Sequence, residues 1–151
     1  MLLSLQDNEF NKNNIHINTR VPNTIIKNSD FYRLSYEVNN VSINGIYLFF
    51  ELKNMKIENV YNKIKFIFNV RESKDLINYL ISVEYKILDC FVKTNNYNNK
   101  KINYYIKNQL NEGSFKIYND KHFTNKFILK ISGIWCNEVE VGVSYKFFSI
   151  N

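Results

Sequence analysis

FILKISGIWCNEVEVGVSYKFF, Phe127 to Phe148, decides the fold. Two runs alternate apolar and polar residues around a short polar break, the period-two pattern of neighbouring strands joined as a hairpin. In the first run Phe127, Leu129 and Ile131 share a face, and Ile128, Lys130 and Ser132 the other. In the second, Val139, Val141, Val143, Tyr145 and Phe147 stand opposite Glu140, Gly142, Ser144, Lys146 and Phe148. The outer phase of this hairpin carries lysine and aromatic rings together. A solvated face needs the lysines but not the rings, and a core needs the rings but not the lysines.

The same pattern recurs upstream. FYRLSYEV (31–38) sets Tyr32, Leu34, Tyr36 and Val38 against Phe31, Arg33, Ser35 and Glu37. IYLFFELK (46–53) sets Ile46, Leu48, Phe50 and Leu52 against Tyr47, Phe49, Glu51 and Lys53. IKFIFNV (64–70) opposes Lys65, Ile67 and Asn69 to an apolar face, and SFKIY (114–118) leaves Lys116 and Tyr118 outside. IHINTRV adds a first short strand that Pro22 ends.

Between these strands the period changes. In SKDLINYLISVEYKILDCFV (73–92), Leu76, Leu80, Val83, Ile87 and Phe91 fall at three- and four-residue steps, which makes an amphipathic helix. Ser73 is placed to cap it, with Asp75 in the first turn where the helix dipole favours an acid. INYYIKNQL (102–110) reads as a shorter helix ended by Gly113. The expected fold is mainly β with one long helix (α+β): an OB-fold-like five-stranded antiparallel barrel in the order β-β-β-α-β-β. A helix-capped antiparallel sandwich would read almost the same. Residues 1–14, polar and Asn-rich after a short apolar start, are expected as a flexible arm, and 15–151 as a single domain.

Composition narrows the function. Hydrophobic residues make 45% of the 151 and aromatics 16%, which suits a folded core rather than a disordered tail. Ala is absent, while Asn, Lys, Ile, Tyr and Phe abound, the residues of AT-rich codons, so part of the lysine content follows from base composition. The net charge of +6 suits a polyanion partner. Two separated cysteines, Cys90 and Cys136, form no disulfide framework and suit a reducing compartment. MLLSLQDNEF lacks the basic and apolar regions of a secretory signal, and no apolar run approaches a membrane span, so a soluble cytoplasmic protein is expected.

Catalytic constellations are sparse. His16 and His122 lie far from each other and from cysteine at ligand spacing, so no metal or other cofactor is expected. Four glycines form no phosphate loop, and the acids are scattered, Glu138 and Glu140 being the nearest pair on one strand face. An enzyme is the class these residues support least.

What recurs is the pairing of cation and ring on the outer phase. Phe31, Arg33, Tyr47, Phe49, Lys53, Lys65, Arg71, Lys116, Tyr118, Lys130, Trp135, Lys146 and Phe148 are the candidate nucleic-acid-binding residues. Phosphates take the lysines and arginines; unpaired bases stack on rings whatever their sequence, at about 1–3 kcal/mol per base. Gly133 and Gly142 would let a strand bend or a ligand approach. Outward rings are equally what a covering helix, a second layer or a partner chain would pack on, and Trp135, on the core phase or at the strand end, is the ring best placed for the core.

GSFKIY (113–118), FILKISGIW (127–135) and EVGVSYKF (140–147) resemble short C-terminal patterns of small replication-related proteins of large cytoplasmic DNA viruses and yeast cytoplasmic linear plasmids. Some of those are single-stranded-DNA-binding proteins, and their genomes are AT-rich. The resemblance implies a replication role; Lys116, Trp135 and Lys146 match its pattern by position, with no role attached. The sequence therefore leads us to expect a sequence-independent single-stranded DNA-binding protein, with RNA, self-association and replication proteins as further partners and no membrane. Two alternatives stand beside it: a non-enzymatic virion or host-interaction β-protein, and an accessory subunit of a replication or transcription complex.

Overall fold

The computed structural model describes Leu5, residues 9–118 and residues 124–150. Ten strands and two α-helices follow in order: β1 (Ile15–Pro22), β2 (Asp30–Val38), β3 (Val41–Asn44), β4 (Ile46–Glu51), β5 (Lys56–Val60), β6 (Lys63–Ile67), α1 (Lys74–Asn95), β7 (Lys101–Asn103), α2 (Tyr105–Asn111), β8 (Ser114–Tyr118), β9 (Lys126–Cys136) and β10 (Glu140–Ile150). The protein is mainly β with two helices.

The hairpin read from Phe127 to Phe148 is the spine. β9 and β10 pair antiparallel from Cys136–Val141 to Lys126–Ile150. Asn137 closes the turn, its side-chain oxygen accepting from the amides of Val139 and Glu140 at 2.9 and 2.7 Å. Val139 is therefore part of an exposed tip rather than the apolar face. On its other side β9 takes two partners in succession, β4 against Lys126–Ile131 and β2 against Gly133–Cys136. β2 then hands its remaining length to β3, through a two-residue turn in which Asn39 and Asn40 both have positive φ. With β1 on β2, and β7 parallel to the start of β10, this makes a seven-stranded sheet.

The second sheet has three strands, ordered β5-β6-β8. Phenylalanines join it to the first. Phe66 and Phe115 face Phe50, Phe127 and Phe147 with ring centroids 4.5–6.0 Å apart, mixing stacked and edge-on pairs. α1 buries Leu80, Val83, Ile87, Leu88 and Phe91, and Phe91 meets Tyr32 of β2 edge-on at 4.8 Å. Ser73 makes no side-chain cap bond; Asn69 instead gathers the amides of Arg71 and Glu72 just ahead of the helix, and Asp75 occupies the first turn.

Two expectations change. Six strands rather than three precede α1, and the two sheets do not close into a barrel: β8 and most of β10 remain edges. β3 and β5 escaped the period-two pattern because they are short and mostly exposed, and β7 because three residues are too few to show a period. The stretch 1–14 is also attached where it is described. Leu5 bridges to Leu48, donating to Tyr47 O and accepting from Phe49 N, and Phe10 stacks on Tyr36 at 5.7 Å.

Candidate nucleic-acid interface

Strand register assembles the outer face of the large sheet. Tyr47 of β4, Lys130 of β9 and Lys146 of β10 lie side by side in one row. The next row is Phe49, Ile128 and Phe148. Lys130 reaches over Tyr47, its ammonium 5.3 Å from the ring centre, and Lys146 over Phe148 at 5.0 Å. Tyr47, Phe49 and Phe148 are half-buried, while Ile128 between the last two is buried outside the main core. Rings and cations therefore share this face, with part of each ring open.

A bulge continues the face past Ile131. Ser144 pairs with Gly133 and Tyr145 with Ile131, leaving Ser132 unpaired. The extra residue flips the alternation: Ile134 and Cys136 turn into the core, and Trp135 turns outward. Phe31 and Trp135 are then cross-strand partners. Each ring lies over a glycine. A Cβ on Gly133 would collide with the Phe31 ring, and one on Gly142 would sit 2.6 Å from the Trp135 ring. The room these glycines leave is filled by the protein's own rings rather than offered to a ligand. Trp135 is closed on its other side by Tyr105 of α2, stacked at 5.9 Å, and is 5% exposed. It is removed from the set of base-stacking candidates. Phe31 is half-buried and, with Arg33, Asn44, Gly45, Lys130 and Ser132, lines a shallow depression of about 360 Å³.

Beside Tyr145–Phe147 of β10 lies a larger cleft of about 660 Å³ between β6, β8, β10 and α2. Lys63, Lys65, Lys116 and Lys146 line it with Tyr118, Tyr105 and Tyr145; Glu112 is its one carboxylate. Lys65 and Lys116 are direct cross-strand partners, as are Lys63 and Tyr118. Lys63 lies 4.3 Å above the Tyr118 ring, and its hydrogen bond and charge, with the charge of Lys146, lower the phenol's pKa. Lys146 belongs to both the cleft and the outer face, and so joins them.

α2, the cleft's wall, is held by a buried acid. Glu84 of α1 is 0% exposed, and its carboxylate accepts from the amides of Ile106 and Lys107 at 2.8 and 3.0 Å, where the first turn of α2 has no other partner. Burial raises its pKa, and the two backbone bonds oppose the rise. Tyr145 donates to Gln109 from the other side, and burial pushes its own pKa up to about 12.

The expected site residues thus divide. Phe31, Arg33, Tyr47, Phe49, Lys130, Lys146 and Phe148 share the outer face. Lys65, Lys116 and Tyr118 line the cleft with Lys146. Lys53 and Arg71 lie apart, in a depression at the start of α1 that Lys74 and the acids Glu51, Glu72 and Asp75 also line. Lys63 was missed, although it stands one period before Lys65 and a strand begun one residue earlier would have included it. Tyr105 and Gln109 carried no sequence signal, because what matters is the packing of α2. Among the described residues no three His, Cys, Asp or Glu side chains could hold a metal ion. His16 pairs with Glu37 at 3.1 Å, and His122 lies outside the described residues. No helix is long and apolar enough to cross a membrane.

No protein-family model, curated protein or solved structure matches the chain.

Proposed function

We propose that the chain binds single-stranded nucleic acid without regard to sequence, along the outer face of the large sheet. One observation carries this: the row Tyr47–Lys130–Lys146 lies against the row Phe49–Ile128–Phe148, so cations and partly open rings alternate within one strand spacing of each other. Lys130 and Lys146 face each other directly with no carboxylate in an ion pair to either among the described residues. Like charges opposed across a ladder are destabilising, and a phosphate between them reverses the sign. A duplex keeps its base faces hidden, so rings of this kind favour single strands.

An OB-like plan for the platform and a setting in cytoplasmic replication of an AT-rich viral or plasmid genome belong to the same proposal. In support, one long helix separates two groups of strands, and the C-terminal hairpin carries the resemblance described above. Anisotropy of a labelled oligo-dT tests the binding. It should rise at low salt and be competed far better by unlabelled single strand than by duplex; equal competition, or no rise, removes the proposal.

A second reading is favoured by the open edge of β10 beyond Gly142. An unpaired edge flanked by half-buried rings also suits a subunit interface in a virion or host-interaction protein. Light scattering separates the two: a stable oligomer indifferent to oligo-dT would favour it.

A further inference from the structure

We infer that the cleft between β8, β10 and α2 is a seat for closely spaced phosphates, beside the outer-face track. It shares Lys146 with that track and does not depend on it.

Four lysine side chains from three strands line one open concavity of about 660 Å³, room for a small ligand. Lys65 and Lys116 are neighbours across the ladder, and Lys63 is next in line on the same strand. None of the four is in an ion pair among the described residues, and Glu112 supplies the single negative charge of the lining. Such an arrangement repels itself until an anion enters.

Lysines also serve to blunt open strand edges, and Lys116 and Lys146 do sit on edge strands. That account does not reach Lys63 and Lys65. They belong to β6, the middle strand of its sheet, which has no free edge to guard. Nor does the lysine-rich base composition explain the position, since it would scatter lysines rather than gather four on one cleft. Tyr118 adds a hydroxyl beside Lys63, and Asn108, Gln109 and Ser114 add polar groups.

The chemistry fits closely spaced phosphates, from either of two sources: a free polyphosphate such as a nucleotide tail, or the backbone of a bound strand. The test uses inorganic tripolyphosphate and oligo-dT as separate titrants at low salt. Each is titrated into the wild-type chain, into the double variant Lys65→Gln, Lys116→Gln, and into Lys130→Gln on the outer face. Tripolyphosphate should bind the wild type at one site, weaken roughly tenfold or more in the double variant, and be unchanged in Lys130→Gln. The double variant relieves a like-charge pair and should melt no lower than the wild type. Should it fail to fold, tripolyphosphate must still shield Lys65 and Lys116 of the wild type from amine acylation, read by mass spectrometry.

If oligo-dT binding survives in the double variant, the ligand is a free polyphosphate; if it falls with tripolyphosphate, the strand itself passes through the cleft. Tripolyphosphate binding without oligo-dT binding keeps the cleft and removes the proposed function. No tripolyphosphate binding to the wild type, equal binding to the double variant, or no shielding overturns the inference.

Discussion

Glu84 shows how much one side chain sets in this chain. It sits on the buried face of α1 at a helical step from Leu80 and Leu88, where the sequence pattern calls for an apolar residue. Its oxygens instead hold the first amides of α2, and so fix the wall of the lysine cleft. Glu84→Ala leaves the buried Ile106 amide and the part-buried Lys107 amide without this partner, and a buried donor left unpaired costs about 1–3 kcal/mol; urea unfolding at neutral pH should show the loss. Burial raises the folded-state pKa above its ordinary 4.5, so the native state takes up a proton that the unfolded chain releases. The stability linked to this proton is full below pH 4.5 and is lost as pH rises through the raised value. The stability difference between wild type and Glu84→Gln should therefore move against the wild type as pH climbs from that point. A pH-independent difference would mean that the carboxyl titrates as in the unfolded chain. Tyr145 works in the same sense at the alkaline end: with its pKa raised from 10.0 to about 12, stability should fall across that interval, and less so in Tyr145→Phe. Absorbance of the phenolate followed together with circular dichroism reads both.

Among the elements, β9 explains both what the sequence disclosed and what it hid. Its first half alternates cleanly, so Phe127, Leu129 and Ile131 were legible as core and Lys130 as outer face. The bulge at Ser132–Gly133 then reverses the phase, and no local pattern announces where a strand will skip a residue. Trp135 is buried, as its place on the core phase or at the strand end suggests, but for that reason on the opposite face, and its cover by Tyr105 depends on a helix thirty residues away in sequence. β2, β4, β6, β8 and β10 were readable because each buries one face. β3 and β5 were not, since their exposed residues carry no burial signal, and β7 is too short to show a period. Gly133→Ala tests the bulge. Its Cβ would meet both the Phe31 ring and the Tyr32 carbonyl oxygen, the latter at 2.6 Å, and such overpacking costs about 1–3 kcal/mol. Adding Phe31→Ala should return only part of the loss in thermal or urea unfolding, because the backbone oxygen stays in place. Full recovery would make the ring the whole obstacle.

At the scale of the molecule, two sheets joined by a phenylalanine core leave a seam between β8 and β10, where the lysine cleft opens beside the cation-and-ring face. Alternation within strands revealed the rows; only register and sheet packing could show that Lys130 meets Lys146, or that Lys53 and Arg71 fall elsewhere among acids. The central claim is that the outer face holds a phosphate backbone through Lys130 and Lys146. The salt dependence of oligo-dT binding measures this most directly. Each single-strand phosphate contact adds about 0.7 to the downward slope of log affinity against log salt, so Lys130→Gln with Lys146→Gln should flatten that slope by about 1.4 and weaken binding at low salt. Wild-type protein that ignores oligo-dT at low salt, or a double variant with the slope and affinity of the wild type, would contradict it.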